Sequence, residues 1–155
     1  MSPAVNQELG EKILFASKIM VNILAEALIG AKVQGLSAPQ YRILDMIYNG
    51  VDKPAELARM LDISPPAISW VLAKLEEGGF IDRSHTKEDR RRVVLELTGM
   101  GKDVVRRVNA RRRKLINDVL GRMDEQEIRQ LETSLETFTR SYLQMKDEER
   151  VGDHA

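Results

Sequence analysis

Apolar residues recur at helical spacing along most of this chain, and the period changes to strand alternation in one short segment. Between residues 6 and 34, Leu14, Val21 and Leu28 fall seven apart with Leu24 and Ala31 on the same stripe, which predicts one long helix closed by Gly35. Ser37-Ala38-Pro39-Gln40 has the capping-box pattern, with Leu36 and Tyr41 as a hydrophobic staple. A second helix should therefore run to about Asn49, burying Tyr41, Leu44 and Ile47. Lys53 to Leu61 reads as a short third helix with Leu57, Ala58 and Leu61 inward, and Ala58 is small enough for a close helix crossing. Asp62-Ile63-Ser64 leaves only a tight turn before a fourth helix. Ser64 caps that helix, Pro65 starts it where a missing N–H costs nothing, and Gly78-Gly79 closes it. Ile68, Val71, Leu72 and Leu75 share one of its faces; Pro66, Trp70 and Ala73 lie opposite, with Ser69 and Lys74 at the flanks.

After Gly79, Phe80-Ile81-Asp82-Arg83 and Val93 to Leu97 read as two strands around a polar tip, Thr86 to Arg92. Thr98 can cap a fifth helix from Gly99 to about Leu120, whose apolar stripe is broken by Arg111 to Lys114. Asp124 and Glu127 form another capping box, and the sixth helix carries Ile128, Leu131, Leu135, Phe138, Tyr142 and Met145 at steps of three and four. So regular a seam on an otherwise polar helix calls for a partner helix. The expected fold is mainly α with a small β-hairpin wing, a winged helix-turn-helix over residues 36–98. Residues 1–35 and 99–146 are expected to build a helical dimerisation region through Leu14, Val21 and Leu28 at one end and Ile128, Leu131, Leu135, Phe138 and Tyr142 at the other. Residues 147–155 are expected to be a disordered tail.

Charge sharpens this picture. The chain is formally neutral, yet residues 83–114 carry 12 Lys and Arg against 4 Asp and Glu, while the segments on either side are each net negative. A basic middle between acidic ends suits a nucleic-acid partner better than the net charge suggests. Three consecutive arginines describe any solvated loop; directly after a helix-turn-helix they describe a wing suited to phosphates or to a narrow minor groove. Other classes lose ground. Cysteine is absent, which excludes disulfides and thiolate metal sites. His85 and His154 have no partner at catalytic or ligand spacing, so no enzyme, metal or cofactor is expected. Gly78-Gly79, Gly99 and Gly101 read as helix punctuation, not as a phosphate cradle. Lys18, Asn22 and Glu26 interrupt the apolar stretch Ile13 to Ile29 and argue against a membrane span; Glu8 and Glu11 replace the basic start of a secretory leader. A cytoplasmic protein is expected.

The order L-S-A-P-Q-Y-R-I-L, then A-E-L-A-R-M-L-D-I-S-P-P-A-I-S-W-V-L-A-K-L-E-E-G-G-F-I-D-R, then D-R-R-R-V-V-L-E-L-T-G-M-G resembles the MarR (multiple antibiotic resistance regulator) family over nearly the whole chain. Its most specific part is the D-x-R wing followed by L-x-L-T-x-x-G, here Asp89, Arg91, Leu95, Leu97, Thr98 and Gly101. The resemblance implies a homodimeric transcriptional regulator, usually a repressor, on pseudo-palindromic double-stranded DNA. By position, the major-groove helix would present Ser64, Pro65, Pro66, Ala67, Ser69, Trp70 and Lys74. The wing would present Lys87, Asp89, Arg90, Arg91 and Arg92, with Arg91 in the minor groove and Asp89 bracing the hairpin. Trp70 stands where the family more often has a polar or basic residue. Such proteins often release DNA on binding a small, frequently aromatic acid. Phe15, Met20, Tyr41 and Tyr48 lie on elements that would line such a cleft, although the same spacing describes plain core. Two alternatives stand beside this reading: a winged-helix protein-interaction module, which would not need the basic cluster, and a metal-responsive repressor, which the shortage of His and Cys disfavours.

Overall fold

The structure is a computed structural model and describes residues 7–33, 35–85 and 93–152. Six helices and one hairpin follow in the order α1 (Gln7–Gly30), α2 (Ala38–Tyr48), α3 (Pro54–Leu61), α4 (Pro65–Glu77), β1 (Ile81–His85), β2 (Val93–Leu97), α5 (Gly99–Leu120) and α6 (Glu125–Gly152). They divide into two compact units, Met1–Leu115 and Ile116–Ala155.

The first unit is built on one apolar core. Leu44, Leu57, Leu72, Val105 and Val108 are fully buried, with Ala27 and Leu28 from α1 and Ile81, Leu95 and Leu97 from the hairpin. Each large aliphatic side chain so removed from water contributes about 1.5–3 kcal/mol. Stripe positions read from the sequence supply these core residues of α2 to α5 and the hairpin, whereas Ala27 is not among those positions and Leu28 is expected at a dimer seam. Local signals set the element ends: Ser37 and Gln40 close a reciprocal capping box on α2, the Ser37 N–H donating to Gln40 Oε1 at 2.8 Å. Asp62 ends α3 in the left-handed region at φ 52°, a conformation short polar residues tolerate, and the Ile63 N–H returns to the Ala58 carbonyl at 3.0 Å. The hairpin pairs Ile81 with Leu97 and His85 with Val93 in antiparallel register. Beside it, the Leu95 N–H donates to the Asp52 carbonyl at 2.8 Å, which ties the strand to the entry of α3.

Four expectations change. α1 stops at Gly30, not near residue 34, because the chain reverses through Lys32 at φ 53°. A Cβ on Gly30 would lie 2.8 Å from Arg111 Nε, so the backbone of α1 and a side chain of α5 meet there. β1 runs on to His85. α6 continues to Gly152, past the end expected at Lys146. The sequence after Lys146 is rich in helix formers, and Lys146 pairs with Glu149 at 2.7 Å one turn on. Gly101 is not punctuation either: it lies buried inside the first turn of α5, where a Cβ would sit 2.1 Å from the Phe80 carbonyl oxygen.

By length and composition α1 is one helix long and apolar enough to cross a membrane, with Leu14, Phe15 and Val21 exposed along it. Its C-terminal end is held in the core by Ala27 and Leu28. In the second unit, Leu131 is the one partly buried side chain among those described on α6; Leu135, Phe138 and Tyr142 stand open at 54%, 56% and 52% exposure.

The two glycines of the L-T-x-x-G segment, Gly99 and Gly101, should respond differently to a methyl group. Gly101→Ala is expected to lower stability by more than about 2 kcal/mol, since the contact is with backbone that cannot step aside. Gly99→Ala, with nothing within 4 Å of its Cβ, should change stability by no more than about 1 kcal/mol and in the stabilising direction. Chemical denaturation of the two variants beside the parent checks both.

Candidate nucleic-acid interface

α4 is a helix held from behind. Ile68, Leu72 and Leu75 are 2%, 0% and 1% exposed, so its inner face is fixed in the core. Its start is capped by Ser64, whose Oγ accepts from the Ala67 N–H at 3.4 Å. Its end closes through Gly79 at φ 75°, with the Gly79 and Phe80 N–H groups returning to Glu76 and Leu75 at 2.9 Å each. What remains outside is an exposed row that includes Ser64, Pro65, Pro66, Ala67, Ser69, Trp70 and Lys74, with Ala73, Glu76 and Glu77 exposed beside them. The structure therefore brings together on one surface every residue of this helix that the sequence singled out. Lys74 is not idle there: its ammonium donates to Glu77 Oε2 at 2.7 Å, and this hydrogen bond holds the Glu77 carboxyl below the usual range.

The wing candidates Lys87, Asp89, Arg90, Arg91 and Arg92 lie outside the described residues. The base of the wing is described, and it holds a residue the sequence reading passed over. Arg83 in β1 faces Leu95, on the inward side of the hairpin. Its Nε lies 3.0 Å from Glu76 Oε2 and its Nη2 donates to the Ser69 carbonyl at 3.4 Å, so one guanidinium links the wing to two points of α4 about two turns apart. The signal was available, because a charge at an inward strand position needs a partner.

Beside α4 lies an open groove of about 840 Å³. Val21 and Leu24 of α1, Tyr41 of α2, Trp70 and Val71 of α4 and Arg112 of α5 are among its walls. Of the four residues expected at a cleft, Tyr41 is in this wall; Phe15, Met20 and Tyr48 are not, and each is well exposed elsewhere. Below the groove runs a polar tie. Tyr41 Oη donates to Asn109 Oδ1 at 2.9 Å, Asn109 Nδ2 donates to Asp45 Oδ1 at 2.9 Å, and Arg112 Nη1 reaches Asn109 Oδ1 at 3.4 Å. Burial, reinforced by the Asp45 charge, pushes the Tyr41 phenol up to about 12, with Arg112 acting against the shift. Arg112 Nε is buried without a hydrogen-bond partner among the described residues.

Of the residues expected at a dimer seam, Leu14, Val21, Leu135, Phe138 and Tyr142 are exposed, Ile128 is 37% exposed, and Leu131 is partly buried. Leu28 is different. It is 7% exposed within the core of its own unit, because the stripe of α1 turns inward near its C-terminal end.

Comparison with known proteins gives this geometry a family. Residues 36–93 match the model of the MarR family. A repressor of Mycobacterium bovis, the HTH-type transcriptional repressor Mb2911, is 31% identical over 103 residues, spanning 66% of this chain and 74% of that protein. The chain belongs to the MarR family. Within it, the fold is similar to the crystal structure of Rv1404 from Mycobacterium tuberculosis, with a TM-score of 0.80 at 28% identity over 90% of this chain and 95% of that one. It is also similar to Streptococcus pneumoniae FabT, solved in complex with DNA, with a TM-score of 0.74 at 25% identity over 91% and 97% of the two chains. Against two Bacillus subtilis relatives the matched stretch is shorter, 45% and 43% of their length. Membership makes the chain a mostly helical, winged helix-turn-helix protein of a transcription-regulator family.

The Tyr41 tie yields two expectations for this MarR-family chain. Tyr41→Phe should cost about 1 kcal/mol, the net worth of one buried hydrogen bond, measured by denaturation at neutral pH. The Tyr41 contribution depends on a neutral phenol, so it is complete below the ordinary value of 10.0 and is lost as the pH rises through about 12. The gap in stability between parent and variant should therefore narrow above pH 10.

Proposed function

We propose that this chain is a sequence-specific DNA-binding transcriptional repressor that grips a pseudo-palindromic operator as a homodimer, in the cytoplasm and without catalysis. The observation that carries the reading is the exposed row from Ser64 to Lys74 on a helix whose opposite face is locked in the core. A rigid helix with a free, mixed polar and aromatic face can enter a major groove, where base edges are distinguishable. Relatives named as repressors and a structural neighbour solved with DNA support it. The exposed apolar faces of α1 and α6 support a second copy as their cover, since Leu14, Val21, Leu135, Phe138 and Tyr142 would otherwise remain in water. In such a dimer two copies of α4 would meet half-sites about 34 Å apart. The groove beside α4 supports an effector: a small planar molecule with an acid group, its ring among Leu24, Tyr41 and Val71 and its charge toward Arg112.

Selection of bound duplexes from a random pool tests the central claim. A single two-fold-related motif is the expected result, and no enrichment would overturn it. Two substitutions probe its parts. Arg91→Ala, in a symmetric dimer, should make the slope of log K against log salt shallower by up to about 2 and weaken preference for A·T-rich flanks. Replacing Leu131 and Leu135 with Glu should give aggregated or unfolded protein, read by sedimentation and circular dichroism, because the seam would then have to bury charge. A folded monomer of that variant with parental operator affinity would disprove the dimer.

A further inference from the structure

Trp70 occupies two places at once. It belongs to the exposed row of α4, where its side chain is 64% exposed, and it also lines the groove with Val71, Tyr41 and Arg112. Ala67, one turn earlier on α4, borders the same groove, so the indole stands at the rim where the groove opens toward the row. It is the only tryptophan in the chain.

We propose that Trp70 is a shared side chain: its indole closes over the groove when an effector fills it and faces the base pairs when α4 is seated in DNA, so the two partners exclude each other through this residue. The inference rests on the preceding readings that α4 enters the major groove and that the groove beside it holds an effector. An indole at the rim has a wide apolar face and two side-chain torsions, so it can settle in discrete staggered positions. A planar occupant offers a stacking surface on the groove side, held by Leu24 and Val71 below and by the Arg112 guanidinium, whose Nε has no hydrogen-bond partner among the described residues. Stacking there draws the ring inward and off the row. DNA does the reverse. A bound duplex presents base edges and methyl groups in front of α4, and contact with them holds the ring outward, leaving the groove without its outer wall. The coupling is therefore local and reciprocal: each partner weakens the other by the same factor, with no movement of α4 in its bed of Ile68, Leu72 and Leu75.

The probe is 8-anilinonaphthalene-1-sulfonate, an apolar aromatic anion that quenches tryptophan emission by energy transfer when close. The chain is titrated with the dye, with a duplex selected from a random pool by the parent, and with both. In the parent, dye binding should quench Trp70 emission, and saturating dye should raise the apparent Kd for the duplex about tenfold or more, with the duplex raising the dye's Kd by the same factor. In Trp70→Ala the duplex still binds, more weakly, but the dye no longer changes its Kd. Trp70→Phe, which keeps an aromatic face, restores part of the coupling. Arg112→Gln weakens the dye without removing mutual exclusion at saturation. The proposal is overturned if dye and duplex bind the parent independently, if Trp70→Ala shows undiminished coupling, or if the dye leaves Trp70 emission unchanged. Failure of the parent to select any duplex is a separate result and overturns the DNA-binding reading itself.

Discussion

The close approach of α5 to the carbonyl of Phe80 is the constraint around which the first unit is arranged. Thr98 sits at the meeting point: its Oγ1 donates to the Gly79 carbonyl at 2.7 Å and accepts from the Gly101 N–H at 3.0 Å, while its own N–H donates to the Phe80 carbonyl at 3.1 Å. One residue thus joins the end of α4, the foot of the wing and the first turn of α5. Gly101 permits it, because any Cβ there would enter the Phe80 carbonyl. If the junction opened, α4 would lose the fixed angle at which it presents its outer face, although its own hydrogen bonds would survive.

Around that junction the unit uses polar groups sparingly and at specific joints. Arg83 ties the wing to α4 through Glu76 and the Ser69 carbonyl. Asn109 ties α5 to α2 through Tyr41 and Asp45. Both are contacts between elements, where apolar packing alone leaves sliding and rotation cheap, and a directional bond fixes register. Between the joints, the aliphatic core supplies the bulk of the stability. The result is a frame fixed by its core with Trp70 exposed at its edge, and moving one indole costs far less than shifting a helix packed by Ile68, Leu72 and Leu75.

The second unit follows another logic. α6 has strong local signals, with Asp124 and Glu127 exchanging hydrogen bonds at 2.9 Å across its start, but it buries almost nothing of its own apolar seam. Long helices with an open apolar stripe gain their stability from packing on something else. α1 has the same character over most of its length. Both α1 and α6 therefore carry apolar surface that stands open, whereas α2 to α5 and the hairpin bury their apolar faces against one another.

The sequence by itself determined the elements, their caps and the inward faces of α2, α3 and α4, because these depend on local backbone chemistry and on a hydrophobic period that a linear reading can follow. It also determined the family resemblance and, through Ser64 and Gly78-Gly79, the bounds of the helix that carries the outer row. The tertiary structure decided what depends on residues distant in sequence. Gly101 looked like helix punctuation and is a contact with Phe80; Leu28 looked like a seam position and belongs to the core; Arg83, read only as part of a strand, is also a brace. Only the packing of α1 to α5 creates the groove, and it selects Tyr41 and Trp70 for the wall while leaving Phe15, Met20 and Tyr48 outside. Helical periodicity reports which face a residue is on, but which neighbour that face meets depends on the crossing of whole elements, and no local pattern encodes that.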